Sequence, residues 1–267
     1  MIKLISTDMD GTLLNDKKEF PPDFFDILDE LKRRNIHFVI ASGRSFSSLR
    51  ISFDGMTDKL DFICDNGAYV VVNGKVVSMS ILDPKRLEEM VELCLSIEGT
   101  NLVLCGVHGT YFQPSQALPV DEVSKFYLNY TCVDDIRAVK DDIFKVAICD
   151  MNDPEKNSYP IISERFKEDF TVAVTGPRWM DLMNKGINKG AALEKIQREL
   201  NISRSETMTF GDYFNDKELL LAADHSFVMA NAHPGMFEYG KYRAESNNDC
   251  GVTKAIKQYV LEEGIIK

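Results

Sequence analysis

Two aspartates separated by a single residue follow the first apolar run of the sequence. Residues 2–7 (IKLIST) are mostly apolar and end directly before Asp8, Met9, Asp10 and Gly11. Such a run is typical of a buried strand whose carboxyl end opens onto a site, and a glycine permits the turn that lets both carboxylates face a cleft. Carboxylate oxygens are also the hard ligands that Mg²⁺ selects, so such a pair could hold a metal ion. A bare pair of this kind is more often an acidic turn that caps the next element.

A second acidic group follows another strand-like run near the C-terminus. The string 211–216 (GDYFND) comes directly after residues 207–210 and contains Asp212, Asn215 and Asp216. The alternative for this pattern is a capped helix start. Two acids and an amide placed directly after a strand favour a site over that alternative.

Two weaker signals lie between these acidic groups. Ser42, Gly43 and Arg44 follow the β-rich run at 36–41, where a hydroxyl and free N–H groups at a helix start can hold a phosphoryl oxygen. Serine is also an ordinary N-cap, and surface pairing is an equally good explanation for the arginine. Lys189 falls at the opening of a predicted helix, where a lone lysine is usually solvated. Both signals gain weight only from their position relative to the acids.

Parallel strands are the elements that could bring these residues together. Strand-like runs at 2–7, 36–41 and 61–64 are each followed by a turn or helix, which predicts a parallel α/β sheet with right-handed crossovers. Asn73 and Gly74 then lie between two valine-rich runs and predict a hairpin. The predicted fold class is α/β.

The middle of the chain has a different pattern from its two ends. From Asp83 onward we predict an α+β insert with a mostly antiparallel sheet. Its predicted elements are a helix-like segment at 85–97, strands at 101–105 and 110–113, a mixed segment at 120–130, a strand at 143–149, a helix opened by Asp153 and Pro154, and strands at 170–175 and 179–183. After Asn188 the α/β pattern resumes, with helix 189–200, strand 207–210, helix 214–223, strand 225–229, a short helix after Pro234 and a terminal helix at 251–262.

The order of these motifs resembles that of the haloacid dehalogenase-like phosphatases. The string at 8–14 (DMDGTLL), then Ser42, Lys189 and the string at 211–216, with a long insert between the second and third motifs, is similar to the type IIB or Cof-like branch. The resemblance covers essentially the whole chain. Many members of that family have Thr where this chain has Ser42, a difference that should leave the hydrogen bond intact.

The resemblance implies a domain organisation as well as a fold. It predicts a Rossmann-like parallel-sheet catalytic core built from residues 1–82 and 187–267. It also predicts that residues 83–186 form an inserted α+β cap that determines substrate specificity.

The resemblance also implies roles for individual residues. Asp8 would attack phosphorus, and Asp10 would protonate the departing oxygen and then take a proton from the attacking water. The implied Mg²⁺ ligands are the side chains of Asp8 and Asp212 and the backbone carbonyl of Asp10, with Asp216 in a supporting position. The residues implied to bind the phosphoryl group are Ser42, Gly43, Arg44, Lys189 and Asn215, and Lys189 also stabilises charge during the reaction.

The implied activity is that of a phosphoric monoester hydrolase. It would use Mg²⁺ and an aspartyl-phosphate intermediate to hydrolyse a small phosphomonoester, such as a sugar phosphate or a related metabolite. A phosphomutase of the same superfamily is the alternative, because motifs alone do not distinguish it. A non-catalytic phosphate-binding protein would be expected to lack Asp8, Asp10 or Lys189, and all three are present.

Charge and composition argue against nucleic acid and membranes as partners, and they require a phosphate site to carry its own local cations. The net charge of −11, from 31 Lys+Arg against 42 Asp+Glu, would repel nucleic acid and anionic membranes. The stretch 99–120 lacks charged residues but is too polar to span a bilayer, and the N-terminus lacks the pattern of a signal peptide. The six cysteines are scattered without a C-x-x-C pair. We therefore expect a cytoplasmic protein that binds neither nucleic acid nor a membrane, and the resemblance implies that its partner is a small phosphorylated metabolite.

Overall fold

The computed structural model describes residues 1–116, 118–125, 127 and 129–262. The chain forms two compact units. The first unit comprises Met1–Gly43, Phe53–Ser78 and Asn188–Lys267, and the second comprises Arg44–Ser52 and Met79–Ile187.

The strands and helices of both units follow one another along the chain. The strands are β1 (Leu4–Asp8), β2 (His37–Ala41), β3 (Asp61–Cys64), β4 (Tyr69–Val72), β5 (Lys75–Met79), β6 (Thr100–Gly106), β7 (Thr110–Phe112), β8 (Thr131–Cys132), β9 (Ile143–Asp150), β10 (Phe170–Gly176), β11 (Trp179–Asn184), β12 (Thr207–Gly211), β13 (His225–Met229) and β14 (Tyr242–Ala244). The α-helices are α1 (Phe24–Arg33), α2 (Phe46–Ser52), α3 (Pro84–Ser96), α4 (Val120–Val123), α5 (Ser158–Phe166), α6 (Lys189–Leu200), α7 (Lys217–Leu221) and α8 (Gly251–Ile256).

The first sheet has eight strands in the order β14-β13-β12-β1-β2-β3-β4-β5. The pairs from β14 to β3 are parallel, and β3 pairs with β4 antiparallel. The connection from β4 to β5 is made by Asn73 and Gly74, with φ values of 50° and 71°. Positive φ at both positions is what a two-residue hairpin turn requires, so the hairpin prediction is confirmed.

Burial on both faces explains why the central strands are continuous apolar runs. Every residue of β1 is buried, and β2 is buried from Phe38 to Ala41. On one face Leu4, Val39 and Ile63 pack into a cluster with buried residues of α6 and α7, among them Leu193 and Leu219. This buried apolar cluster therefore fixes the position of β1 and, through its pairing with β1, that of β12, the two strands that end at the predicted site residues.

The second sheet has six strands in the order β10-β11-β9-β6-β7-β8. All its pairs are antiparallel except β7 with β8. One face is covered by α3 and α5, whose buried Met90, Val91, Ile162 and Phe166 join the apolar cluster of that unit. A parallel-sheet core and a separate antiparallel α+β unit confirm the predicted fold class.

Three helices differ from those predicted by more than two residues at one end. The helix expected to open at Asp153 and Pro154 begins at Ser158, because the buried Asp150 carboxylate at the end of β9 accepts the backbone N–H of Ser158 at 3.0 Å. The predicted helix 214–223 starts as a 3₁₀ turn, and α7 spans Lys217–Leu221. The predicted terminal helix 251–262 is α-helical only to Ile256 and then widens into a π-helix at Lys257–Leu261.

Strand β14 was not predicted, because its three residues give no readable alternation. Within the mixed segment 120–130, residues 126 and 128 lie outside the described part of the chain. No helix among the described residues has the length and apolar character needed to span a bilayer.

Candidate active site

Asp8 ends β1 on a turn that only glycine can complete. The loop after it is closed by backbone hydrogen bonds from Leu13 N to Asp8 O (3.3 Å) and from Leu14 N to Met9 O (2.8 Å). Gly11 has φ of 84°, and a Cβ there would lie 2.6 Å from Oδ2 of Asp212. The turn therefore brings the loop that carries Asp8 against the end of the neighbouring strand β12.

Lys189 is completely buried between two carboxylates of this site. Its Nζ donates to Oδ1 of Asp8 at 2.5 Å and to Oδ1 of Asp216 at 2.6 Å. Burial alone would lower the pKa of the Lys189 ammonium, but the charges of Asp216 and Asp8 raise it above its ordinary value. The lysine is therefore held as a cation at the first residue of α6, where the partial positive charge of a helix N-terminus also favours anions.

The same α6 terminus is fixed by a capping bond. The side chain of Asn188 accepts the backbone N–H of Ala191 at 2.8 Å, the ordinary arrangement at a helix N-cap. The position of Lys189 is thus set by the backbone of α6 as well as by its ion pairs.

Asp216 uses both of its carboxylate oxygens within the protein. Oδ1 accepts from Lys189, and Oδ2 accepts the backbone N–H groups of Asp212 (3.0 Å) and Tyr213 (3.2 Å). Asp216 is fully buried. This bonding suits a residue that orients Lys189 and the loop after β12.

Asp212 has one oxygen bonded to the loop after β1. Its Oδ1 accepts from Oγ1 of Thr12 at 2.7 Å. Burial raises the pKa of Asp212 to about 6, and Asp216 also raises it, although the bond from Thr12 acts in the opposite direction. Burial, opposed by Lys189, likewise raises the pKa of Asp8 above its ordinary value.

The acidic cluster fits a divalent cation with oxygen ligands. Asp8, Asp212 and Asp216 each offer an oxygen, and these atoms lie within 4.8 Å of one another. Within the part of the chain that the structure describes, the buried ammonium of Lys189 pairs with Asp8 and Asp216 and leaves Asp212 without a cationic partner, so negative charge remains in a site of low dielectric. Because Asp216 already uses both oxygens, Asp8 and Asp212 are the carboxylates with capacity for Mg²⁺.

Asp10 occupies a different environment from Asp8. Its side chain is 36% exposed, and Oδ1 lies 2.8 Å from Nζ of Lys18. Lys18 has φ of 64°, a left-handed backbone conformation that is uncommon outside glycine. Both aspartates of the pair therefore contact a lysine, but Asp8 and Lys189 are buried, whereas Asp10 is partly exposed and Lys18 lies at the surface.

Ser42 and Gly43 lie at the end of β2, next to β1. Ser42 is buried, and its backbone N–H donates to Ile63 O at 2.8 Å. Asn215 donates through Nδ2 to Oδ1 of Asn66 at 3.2 Å. Arg44, the residue after Gly43, belongs to the second compact unit.

Three polar residues of this region were not singled out from the sequence. Thr12 bonds Asp212, Lys18 pairs with Asp10, and Asn66 bonds Asn215. Thr12 lies inside the string DMDGTLL, so its position was a usable signal. Nothing in the local sequence indicated the other two contacts.

Comparisons with known proteins place the chain among phosphatases. Residues 5–256 match the family described as haloacid dehalogenase-like hydrolase. The chain is 32% identical over 270 residues to the protein of Escherichia coli (strain K12) named 5-amino-6-(5-phospho-D-ribitylamino)uracil phosphatase YbjI, across 98% of this chain and 97% of that one. A Bacillus subtilis (strain 168) protein with the same enzyme name, YcsE, is 26% identical over 261 residues, across 97% and 96% of the two chains.

A solved structure shares the fold along the whole chain. SMU.1108c from Streptococcus mutans UA159 has a TM-score of 0.85 and 27% identity, across 97% of this chain and 99% of that one. The family match and these alignments extend over both compact units.

Proposed function

Because the chain belongs to the haloacid dehalogenase-like hydrolases, in their Cof-like branch, we propose that it hydrolyses a small phosphomonoester through an aspartyl-phosphate on Asp8. The observation that carries this proposal is the buried contact between Lys189 and Asp8. The ammonium fixes one oxygen of Asp8 and neutralises part of its charge. The other oxygen remains available for attack on phosphorus.

In the first step, an oxygen of Asp8 forms a bond to phosphorus while the ester P–O bond breaks. The departing oxygen takes a proton from the Asp10 carboxyl group, which its exposure makes accessible to a leaving group. In the second step, water gives a proton to Asp10 and its oxygen bonds to phosphorus. The P–O bond to Asp8 then breaks, which regenerates the carboxylate and releases inorganic phosphate.

The proposed cofactor is Mg²⁺, held by the side chains of Asp8 and Asp212 and by the backbone carbonyl that the family resemblance assigns to Asp10. When bound, it supplies positive charge that offsets the repulsion between the Asp8 carboxylate and the phosphate dianion. Asp216 holds Lys189 and the backbone of Asp212 in place through its own hydrogen bonds.

The phosphoryl oxygens are proposed to bind Ser42, the Gly43 backbone, Asn215 and Lys189. This is supported by two observations: Ser42 directly follows Ala41, which pairs with Asp8 in the sheet, and Lys189 donates to Asp8 from the start of α6. For Arg44, which lies in the second unit, phosphate binding is proposed from the family resemblance alone.

The proposed substrate is a phosphorylated sugar or sugar-alcohol metabolite. Both relatives compared above are named for a compound that carries its phosphate on a ribityl chain. We therefore put 5-amino-6-(5-phospho-D-ribitylamino)uracil first among the candidate substrates. Residues 83–186 are proposed to be the cap that selects the leaving group, and the reaction is proposed to occur in the cytoplasm.

A panel of phosphorylated metabolites assayed with Mg²⁺ tests this proposal. The wild type should release inorganic phosphate, with the ribityl compound among its best substrates. Activity should vanish with EDTA and return with Mg²⁺. Asp8→Asn should fold and be inactive, because an amide does not attack phosphorus, whereas Asp26→Asn on the surface of α1 should keep full activity.

Product analysis distinguishes hydrolysis from phosphoryl transfer. An isomerised hexose phosphate in place of free phosphate would identify a mutase. Full activity after rigorous removal of metal would contradict the proposed mechanism.

A further inference from the structure

Three consecutive residues after β3 have a left-handed backbone. The φ values are 47° at Asp65, 53° at Asn66 and 107° at Gly67. Left-handed conformations at adjacent non-glycine residues are costly and persist only where the surrounding structure enforces them. Sequence patterns assigned no role to this segment, which we call the 65–67 turn.

The 65–67 turn first contacts the loop that follows β2. The backbone N–H of Asn66 donates to Ser42 O at 3.0 Å. The Asn66 side chain also lies against Gly43, because a Cβ on Gly43 would be 3.3 Å from Nδ2 of Asn66. Asn66 thus packs directly on two of the residues proposed to bind the phosphoryl group.

The turn also contacts the start of α6. A Cβ on Gly67 would lie 2.4 Å from the backbone oxygen of Asn188, so no other residue could occupy that position without moving the backbone. Asn188 is the N-cap of the helix whose first residue is Lys189. The left-handed backbone therefore allows the turn to pack against the helix terminus that carries the buried lysine.

A third contact reaches the loop after β12. Nδ2 of Asn215 donates to Oδ1 of Asn66 at 3.2 Å. The side chain of Asn66 therefore binds Asn215, and its backbone N–H binds Ser42. The adjacent Gly67 packs against the start of α6, the helix that carries Lys189. These are three of the places where a phosphoryl oxygen is proposed to bind.

We propose that Asn66 is a positioning residue that sets the spacing of Ser42 and Asn215 around the transferred phosphoryl group. This inference rests on the proposed function. Asn66 acts through its neighbours: Oδ1 orients the amide of Asn215, and Nδ2 limits the movement of Gly43. An asparagine suits both tasks because it tolerates a left-handed backbone and offers an acceptor and a donor.

The test is Asn66→Gly, compared with Asn73→Gly. Glycine accepts the left-handed backbone at both positions, so each change removes a side chain without straining the chain. Asn73 lies in the exposed β4–β5 hairpin and serves as the matched control. The measurements are kcat and KM for p-nitrophenyl phosphate, inhibition by inorganic phosphate, and Tm.

Asn66→Gly should lower kcat/KM about tenfold, the loss expected for a misplaced hydrogen-bonding group, and weaken inhibition by inorganic phosphate to a similar extent. Its Tm should match that of Asn73→Gly. In a double-mutant cycle with Asn215→Ala, the effects on kcat should be less than additive, because both changes remove the same contact.

Wild-type-like kinetics in Asn66→Gly would overturn the inference, and so would a loss of activity that simply follows a loss of folded protein. Strictly additive effects in the cycle would also overturn it. Failure of the proposed function is a separate result, since the wild type itself would then hydrolyse no phosphomonoester.

Discussion

At the scale of single residues, the site concentrates more negative charge than its own cation neutralises. Asp8, Asp212 and Asp216 lie together in a largely buried cluster, in which the Lys189 ammonium pairs with Asp8 and Asp216. Burial raises the pKa of Asp212 to about 6 and also raises that of Asp8. Such an arrangement costs folding stability in the absence of metal, and it prepares the site to bind a cation.

Asp212→Asn should make the protein more stable in the absence of metal, by an amount that depends on pH. Asp212 has an ordinary pKa of 3.8 when unfolded and about 6 when folded, so the folded state retains a proton that the unfolded state has lost. Its contribution to stability therefore falls as pH rises through that window, by up to about 3 kcal/mol. Without metal, the Tm of Asp212→Asn relative to wild type should rise between about pH 4 and about pH 7.

Thermal unfolding in EDTA and in Mg²⁺ checks this expectation. Added Mg²⁺ should raise the Tm of the wild type at neutral pH and have little effect on Asp212→Asn. The exposed change Asp26→Asn is the control and should keep the Mg²⁺ response. A difference in Tm that is the same at all pH values would contradict the account, as would an unaltered Mg²⁺ response in Asp212→Asn.

Most of the site residues that could be predicted from the sequence lie at strand ends or shortly after them. Thr12 and Asn66, which were not predicted, lie in loops and turns and contact residues far away in the sequence. Asp8 and Asp212 lie at the carboxyl ends of two apolar strands. Because these strands were predicted to be parallel, the sequence alone placed both carboxylates at the same end of the sheet. Thr12 meets Asp212 across 200 positions of the chain, and Asn66 meets Asn215 across 149. Contacts of this kind depend on loop conformation, which local patterns do not determine.

At the scale of elements, the position of Lys189 depends on how closely α6 approaches α7. A Cβ added to Gly190 would lie 2.2 Å from the backbone oxygen of Glu218. Because the obstacle is backbone, the two helices could not keep their present distance with any side chain at that position. The glycine therefore lets the first turn of α6, and with it the lysine, lie next to the loop after β12.

Gly190→Ala should reduce both stability and activity. Separating the helices should cost about 1–3 kcal/mol, as overpacking of a core usually does, and should move Lys189 away from Asp8. Tm and kcat for p-nitrophenyl phosphate are the measurements. Gly176→Ala is the matched control, because the nearest atom to its added Cβ is 3.9 Å away and little change is expected. Equal effects of the two substitutions would show that the close approach is unimportant.

Helices and strands were predictable where the periodic spacing of apolar residues extended over the whole element. Phe24, Phe25, Ile27, Leu28 and Leu31 recur at helical spacing, which predicts α1, and all of them except the exposed Phe25 are buried. The start of α5 was misplaced because its capping carboxylate, Asp150, comes from a strand and not from the residues before the helix. Short elements such as β14 carry too few residues for a periodicity to appear.

In the whole molecule, the strands of the second sheet lie in the chain between two groups of strands of the first sheet. The eight-stranded sheet uses both ends of the chain, whereas the six-stranded sheet lies entirely between them. The change near residue 83 was visible in the sequence. Strands separated by short turns indicate antiparallel hairpins, whereas strands separated by helices indicate a parallel sheet. The proposed division of labour assigns chemistry to the first unit and substrate selection to residues 83–186.

Replacing residues 83–186 with a short Gly/Ser linker tests that division. The remaining core should fold, since it has its own apolar cluster, and it should still hydrolyse p-nitrophenyl phosphate. Its kcat/KM values for different sugar phosphates should become nearly equal, because the residues proposed to recognise the leaving group are gone. Circular dichroism and a cooperative melt establish folding. Discrimination equal to that of the full chain would place specificity in the core instead.

In the proposed reaction, Asp8 becomes phosphorylated and Asp10 is needed to release the phosphate. Rapid mixing of Asp10→Asn with p-nitrophenyl phosphate and Mg²⁺ tests it most directly, because this ester needs little protonation of its leaving group. We expect a burst of about one nitrophenolate per site, then a stall, with an acyl-phosphate on Asp8 in the mass spectrum after acid quench. Steady turnover at the wild-type rate, or phosphate found on a different residue, would contradict it.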